Sequence, residues 1–245
     1  MPEIETSALW PLSEFDEMRH AASSSHARLQ RQTQLSSTMQ AELRLLERRR
    51  DSADALEAVA AILRLKEPAL IYLQCGDRVW PVTLFPEQMV YHSPCSLLLA
   101  TRRELSLLQT LEIEPPGVRP PGHWMHDRVA AGESYHPLTP ALWRLALDGP
   151  RADLLHEIAG AATYRALRDP ATQSLPTPGA LGPTIKRMRE QSAPLRRISA
   201  LPGMSEERAA RLVNALYLSS NLIASRAHPS ADPGVMSWLF SRRAR

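Results

Sequence analysis

"ALIYLQCGDRVWPVTLFPEQMVYHSP", residues 69–94, holds two apolar, β-rich runs on either side of Gly76-Asp77. A Gly-Asp pair between such runs predicts a hairpin over 69–84, with strands Ala69–Cys75 and Arg78–Leu84, and Gln88–Tyr91 reads as a third strand. Pro81 has no N–H to give to a ladder, so the second strand is expected at a sheet edge or at a bulge. A small antiparallel sheet must bury one face, and the helical patterns on both sides of this stretch are the material to cover it.

Upstream, residues 13–50 contain neither Pro nor Gly and read as one long polar helix with Met39, Leu43 and Leu46 in a narrow apolar stripe. The stripe is too short for a sustained heptad repeat, so the helix is expected to lie on its own domain. Pairing of two copies of the chain through it is the alternative. "DSADALEAVAAILRLKEP" (51–68) follows as a second amphipathic helix, stopped by Pro68.

Downstream, "SPCSLLLATRRELSLLQTLE" (93–112) returns to a helical period, with Ser96 as its cap. Residues 114–140 are interrupted by prolines and read as an ordered loop, because Trp124, Met125 and Tyr135 give it apolar groups to bury. Helices are expected over Thr139–Leu147 and Arg151–Arg168. A Pro, Gly, Ser and Thr cluster at 169–182 then separates an N-terminal domain, 1–168, from the last periodic region.

That region, 183–228, presents "PTIKRMREQ", "APLRRISALPG" and "SEERAARLVNALYLSS" as three helical patterns, with Leu222-Ile223 starting a strand. Helix, helix, turn, helix, strand resembles the order of a winged helix-turn-helix. The resemblance implies a third helix from Ser205 that enters a DNA groove. The turn also faintly resembles a helix-hairpin-helix at Pro202, Gly203 and Met204, but Ser205 stands where that motif has its second glycine. The fold class expected is therefore α+β and mostly helical: a small antiparallel sheet covered by helices, plus a C-terminal winged-helix-like module and a basic tail, 229–245.

Charge narrows the partners. The 245 residues carry a net charge of +3, but from Lys186 onward eleven basic residues face four acidic ones. If a phosphate backbone is bound, it is bound there. The candidate contacts for nucleic acid or a protein partner are Lys186, Arg187, Arg189, Arg196, Arg197, Arg208, Arg211, Asn214, Arg226, Arg242 and Arg243. Of these, Arg208, Arg211 and Asn214 occupy the polar face of the third helix, opposite Ala209, Leu212, Val213 and Leu216. Against direct base reading, Glu206 and Glu207 fall in that helix's first turn. Lys66 and Lys186 are the only lysines, a bias that fits a high-GC bacterial genome better than a binding function.

Catalytic signatures are sparse. Cys75 and Cys95 are the only cysteines and lack CxxC spacing, so neither a disulfide framework nor a four-cysteine zinc site is available. His92, Cys95, His123, His126, Asp127 and His136 lie close in sequence and include the group types zinc prefers, which leaves a metal-dependent enzyme as a third possibility. The phosphate-binding patterns GxxxxGK[ST] and GxGxxG, the serine-nucleophile pattern GxSxG and the zinc pattern HExxH do not occur. With no signal-peptide pattern and no membrane-length apolar run, the expected setting is the cytoplasm. The function expected is that of a non-enzymatic regulatory or adaptor protein acting through protein–protein contacts, with no cofactor. A DNA-binding transcriptional regulator is the alternative.

Overall fold

The computed structural model describes residues 9–22, 35–122 and 134–226. Its larger sheet grows from the expected hairpin. β1 is Trp10–Pro11, β2 Ala69–Cys75, β3 Arg78–Phe85, β4 Val90–His92, β5 Gln109–Glu114 and β6 Tyr135–Pro137. They run antiparallel in the order β5-β2-β3-β4-β6, with β1 added to β3. Gly76 turns the hairpin at φ 63°, and Asp77 is not among the positive-φ residues, the pattern of a type II′ turn.

Pro81 departs from expectation, because β3 is an inner strand. On the side away from β2, β1 ends its pairing at Val79 and β4 begins at Thr83, so Pro81 occupies the gap between two partners. Its carbonyl there accepts a hydrogen bond from Ser93 Oγ at 3.1 Å. No ladder bond is lost to the missing N–H.

Two further corrections concern the helices around this sheet. The expected helix over 13–50 is not continuous: the described residues give α1, Leu12–Ala22, and α2, Ser37–Arg49, with Leu35 and Ser36 outside any helix. Ser36 starts α2, its side chain accepting the Met39 N–H at 3.0 Å. The stretch 93–112 is likewise divided into a 3-10 turn, a short α4 (Arg102–Ser106) capped by Thr101, and strand β5. Between them in sequence, α3 (Ala55–Leu65) is capped by Asp54, which accepts from Leu56 and Glu57 N–H groups.

The sheet is covered on both faces. Ile71, Leu73, Trp80, Val82 and Leu84 meet Met39, Leu56, Val59, Leu142 and Trp143 in the main core, α5 being Leu138–Asp148. On the other face Phe15 of α1 packs with Tyr72 and Val79, its ring 4.9 Å from that of Tyr72. Met39 and Leu46, two members of the stripe on α2, are buried in the chain's own core. That use leaves little of the stripe for pairing two copies.

The second sheet changes the reading of the C-terminal part. Residues 162–166, expected to be helical, form β7, and it stands between β8 (Ala193–Pro194) and β9 (Leu222–Arg226). Around it are α6 (Leu181–Glu190), α7 (Leu195–Ser199) and α8 (Glu206–Leu218). The central strand thus comes from ahead of the 169–182 segment. One hydrophobic core runs continuously from the larger sheet through α5 to α8 and β7.

Candidate functional site

The C-terminal cations divide into those consumed by internal contacts and those left outward. On α8, Asn214 is 0% exposed. Its Oδ1 accepts the Leu155 N–H at 3.0 Å and its Nδ2 donates to the Asp153 carbonyl at 2.9 Å. Arg211 is 16% exposed in its side chain, pairs with Glu207 at 2.8 Å, and donates to the carbonyls of Leu147 and Gly149 at the end of α5. A guanidinium suits those carbonyls because they form the negative end of the helix dipole. Arg208 donates to the Gly203 carbonyl at 2.9 Å and closes the turn before its own helix.

Arg211 and Asn214 are therefore held against the interior, which corrects the expectation that they face a groove, while Arg208 stays half-buried at the surface. A helix viewed by itself shows polar residues opposite apolar ones, and α8 alone gives no sign that α5 and residues 151–156 lie against that polar side. Its exposed tip carries Glu206 and Glu207.

Lys186, Arg187, Arg189, Arg196 and Arg197 are all exposed on α6 and α7. Two grooves flank α6. The larger, about 490 Å³, is lined by Lys186, Arg189 and Glu190 of α6, Arg165 of β7 and Ile223 of β9. The smaller, about 330 Å³, lies toward α7 and includes Arg187, Gln191, Arg197 and Ile198. Arg165 joins the set unforeseen, since its segment was read as helix. The strand signal was the β-rich "ATYRA" just after Gly160. Arg226 is exposed, and its guanidinium donates to the Glu157 carbonyl. Arg242 and Arg243 lie outside the described residues.

A second polar constellation fastens α3 to residues 151–157. Glu57, 5% exposed, lies 2.9 Å from an Arg151 guanidinium nitrogen and accepts the backbone N–H of His156 at 2.8 Å. His156 Nδ1 is also 2.8 Å from Glu57, while Arg151 reaches Asp54 at 2.6 Å. Each charge in this cluster has an opposite partner and hydrogen bonds, as buried charges require.

The histidine-rich stretch does not converge where it can be followed. Tyr91 pairs with His136 and His92 with Tyr135 across β4 and β6, so the two histidines project from opposite faces of the sheet. Burial pushes the Cys95 thiol up to about 11, away from the thiolate a metal binds. Among the described residues no group of three or more His, Cys, Asp or Glu side chains is arranged to hold a metal ion. His123, His126 and Asp127 lie outside the described residues. Among those described, no helix is long and apolar enough to cross a membrane. Compared with known proteins, the chain matches no family model, no curated protein sequence and no solved structure.

Proposed function

We propose that this is a non-enzymatic regulatory or adaptor protein that binds a protein partner through the basic face of α6, α7 and β7. The observation that carries this reading is the division of cations: Arg208 and Arg211 donate to carbonyls of the chain itself, whereas the five on α6 and α7 remain exposed, four of them lining two grooves. In both grooves the cations outnumber the one lining carboxylate named among the described residues, Glu190, and such an excess favours a complementary surface and steers its approach. The continuous core between the two sheets supports a role in which an event at the larger sheet is felt at this face.

The test is recovery of a complex from cells with the tagged full chain, with and without nuclease. The expected complex survives nuclease and is weakened about tenfold by combined Arg187→Glu, Arg196→Glu and Arg197→Glu, a loss of about 1.4 kcal/mol. A complex indifferent to these changes, or no complex, overturns the reading.

A DNA-binding regulator is the second reading, favoured by the succession α6, β8, α7, α8, β9, which resembles a winged helix-turn-helix. Contacts would then run from the exposed cations to phosphates, because Asn214 is enclosed and cannot reach a base edge. Duplex binding that falls steeply with salt, measured by fluorescence anisotropy, would favour it.

A further inference from the structure

We propose that the larger groove, between α6 and the β7–β9 pair, docks an acidic segment of a partner protein that inserts an apolar side chain. The proposal rests on the adaptor reading and names the chemistry of the partner. Arg165 and Ile223 are directly opposed across β7 and β9, so both project from the same face of the small sheet. Tyr164 and Ala166 belong to the buried core. The outer face of the strand pair is thus free to join α6 in forming a groove.

The apolar part of that groove is exposed. Leu167 is 49% and Ile223 42% exposed, and both line it. Six large apolar side chains are exposed among the described residues, and these two share one concavity. Scattered exposed apolar residues need no explanation. Two that share a groove rimmed by cations are the arrangement of a small anchor site with a charged edge.

The charged part is left largely unneutralised. Among the described residues, Arg165, Lys186 and Arg189 face one carboxylate within the lining, Glu190, and Asp169 lies 4.0 Å from Arg189 outside it. Arg165 donates one N–H to the Arg189 carbonyl at 3.3 Å, which holds its guanidinium over the end of α6 and leaves other donors outward. Lys186 has no acidic partner among the described residues. Carboxylates are the matching chemistry on a protein, and an apolar side chain between them would cover Leu167 and Ile223. A phosphate backbone would use the cations but gain nothing from these two residues, and among the described residues no aromatic ring lines the groove for a base to stack on.

The experiment titrates the full chain with three fluorescent probes: a peptide in which leucines interrupt a run of glutamates, an all-glutamate peptide of equal length, and a short DNA duplex. The glutamate–leucine peptide is expected to bind tightest. Ile223→Ser should weaken that peptide about tenfold, in keeping with burial of one apolar side chain, while leaving the other two probes unchanged. Lys186→Glu with Arg189→Glu should weaken both peptides. These positions are exposed, so unchanged thermal melting checks that the variants fold. Failure of the glutamate–leucine peptide to bind, equal binding by both peptides, or indifference to Ile223→Ser overturns the dock. So does tighter binding of DNA. The titration reports on the groove, whereas the nuclease-resistant complex reports on the adaptor role, so each can fail without the other.

Discussion

Asn214 accepts the Leu155 amide hydrogen at 3.0 Å from within α8, and so completes the backbone hydrogen bonding of a turn 59 residues earlier in the chain. Replacing it with Leu leaves that buried N–H and the Asp153 carbonyl without their partner, at a cost of about 1–3 kcal/mol. Urea unfolding should show a lower midpoint with an unchanged slope. Arg211→Ala should behave similarly but more mildly, and should not lower affinity for any partner of the α6 face.

Glu57 and Arg151 form a pair in which each charge makes the other tolerable. Glu57→Ala removes one of the two carboxylates paired with Arg151, whose side chain is 9% exposed, and takes the acceptor from the His156 N–H; because Asp54 stays 2.6 Å from the guanidinium, the cost should be about 1–3 kcal/mol. The double variant Glu57→Ala with Arg151→Met should cost less than the two single losses added together. Full additivity in a double-mutant cycle would contradict the coupling.

Cys95 predicts a loss of stability in alkali. Its thiol has an ordinary value of 9.0 and is pushed up to about 11 by burial, so the unfolded chain releases this proton first. The contribution is complete below pH 9.0 and is lost as pH rises toward about 11. Burial raises Tyr91 and Tyr164 in the same sense. Cys95→Ala should flatten part of this decline in melts taken across that range, and Cys95 should react with iodoacetamide at pH 8 more slowly than a free thiol.

His136 predicts the opposite edge. Its Nε2 is buried with no hydrogen-bond partner among the described residues, and desolvation lowers its pKa below the ordinary 6.5. The folded chain therefore holds it neutral, and stability present above pH 6.5 should decline as pH falls through the lowered value. His136→Phe should remove that part of the acid sensitivity, as read by melts from neutral pH to mild acid.

Gly203 holds φ +75°, and an added Cβ would come within 2.9 Å of the Ala180 side chain. Gly203→Ala should therefore cost about 1–3 kcal/mol through backbone strain, with the contact adding to it. A melting temperature equal to that of the unaltered chain would show that the turn before α8 relaxes freely.

The elements legible in the sequence were those decided locally. Gly76-Asp77 between β-rich runs located the hairpin, and Ser205 with Glu206 and Glu207 located the start of α8. β5 and β7 were hidden because each directly follows a helix-like run, and the reason each is a strand lies in a distant partner: Tyr72 for Glu112, Ser225 for Thr163. The site divided the same way. Lys186, Arg187 and Arg189, named as candidate contacts from the charge pattern, face outward on α6, but nothing in α8 itself shows that Leu147 and Gly149 claim Arg211.

The place of β7 between β8 and β9 has a consequence for how the chain is made. Residues 162–166 leave the ribosome ahead of both their neighbours, and the last of those, β9, ends at Arg226. At about 5–20 residues per second, β7 waits roughly 3–12 s for that edge to be covered. A fragment beginning after the 169–182 segment never receives its middle strand at all, because β8 and β9 do not pair with each other. Expression of the C-terminal part as a separate folded piece requires a start upstream of Ala162.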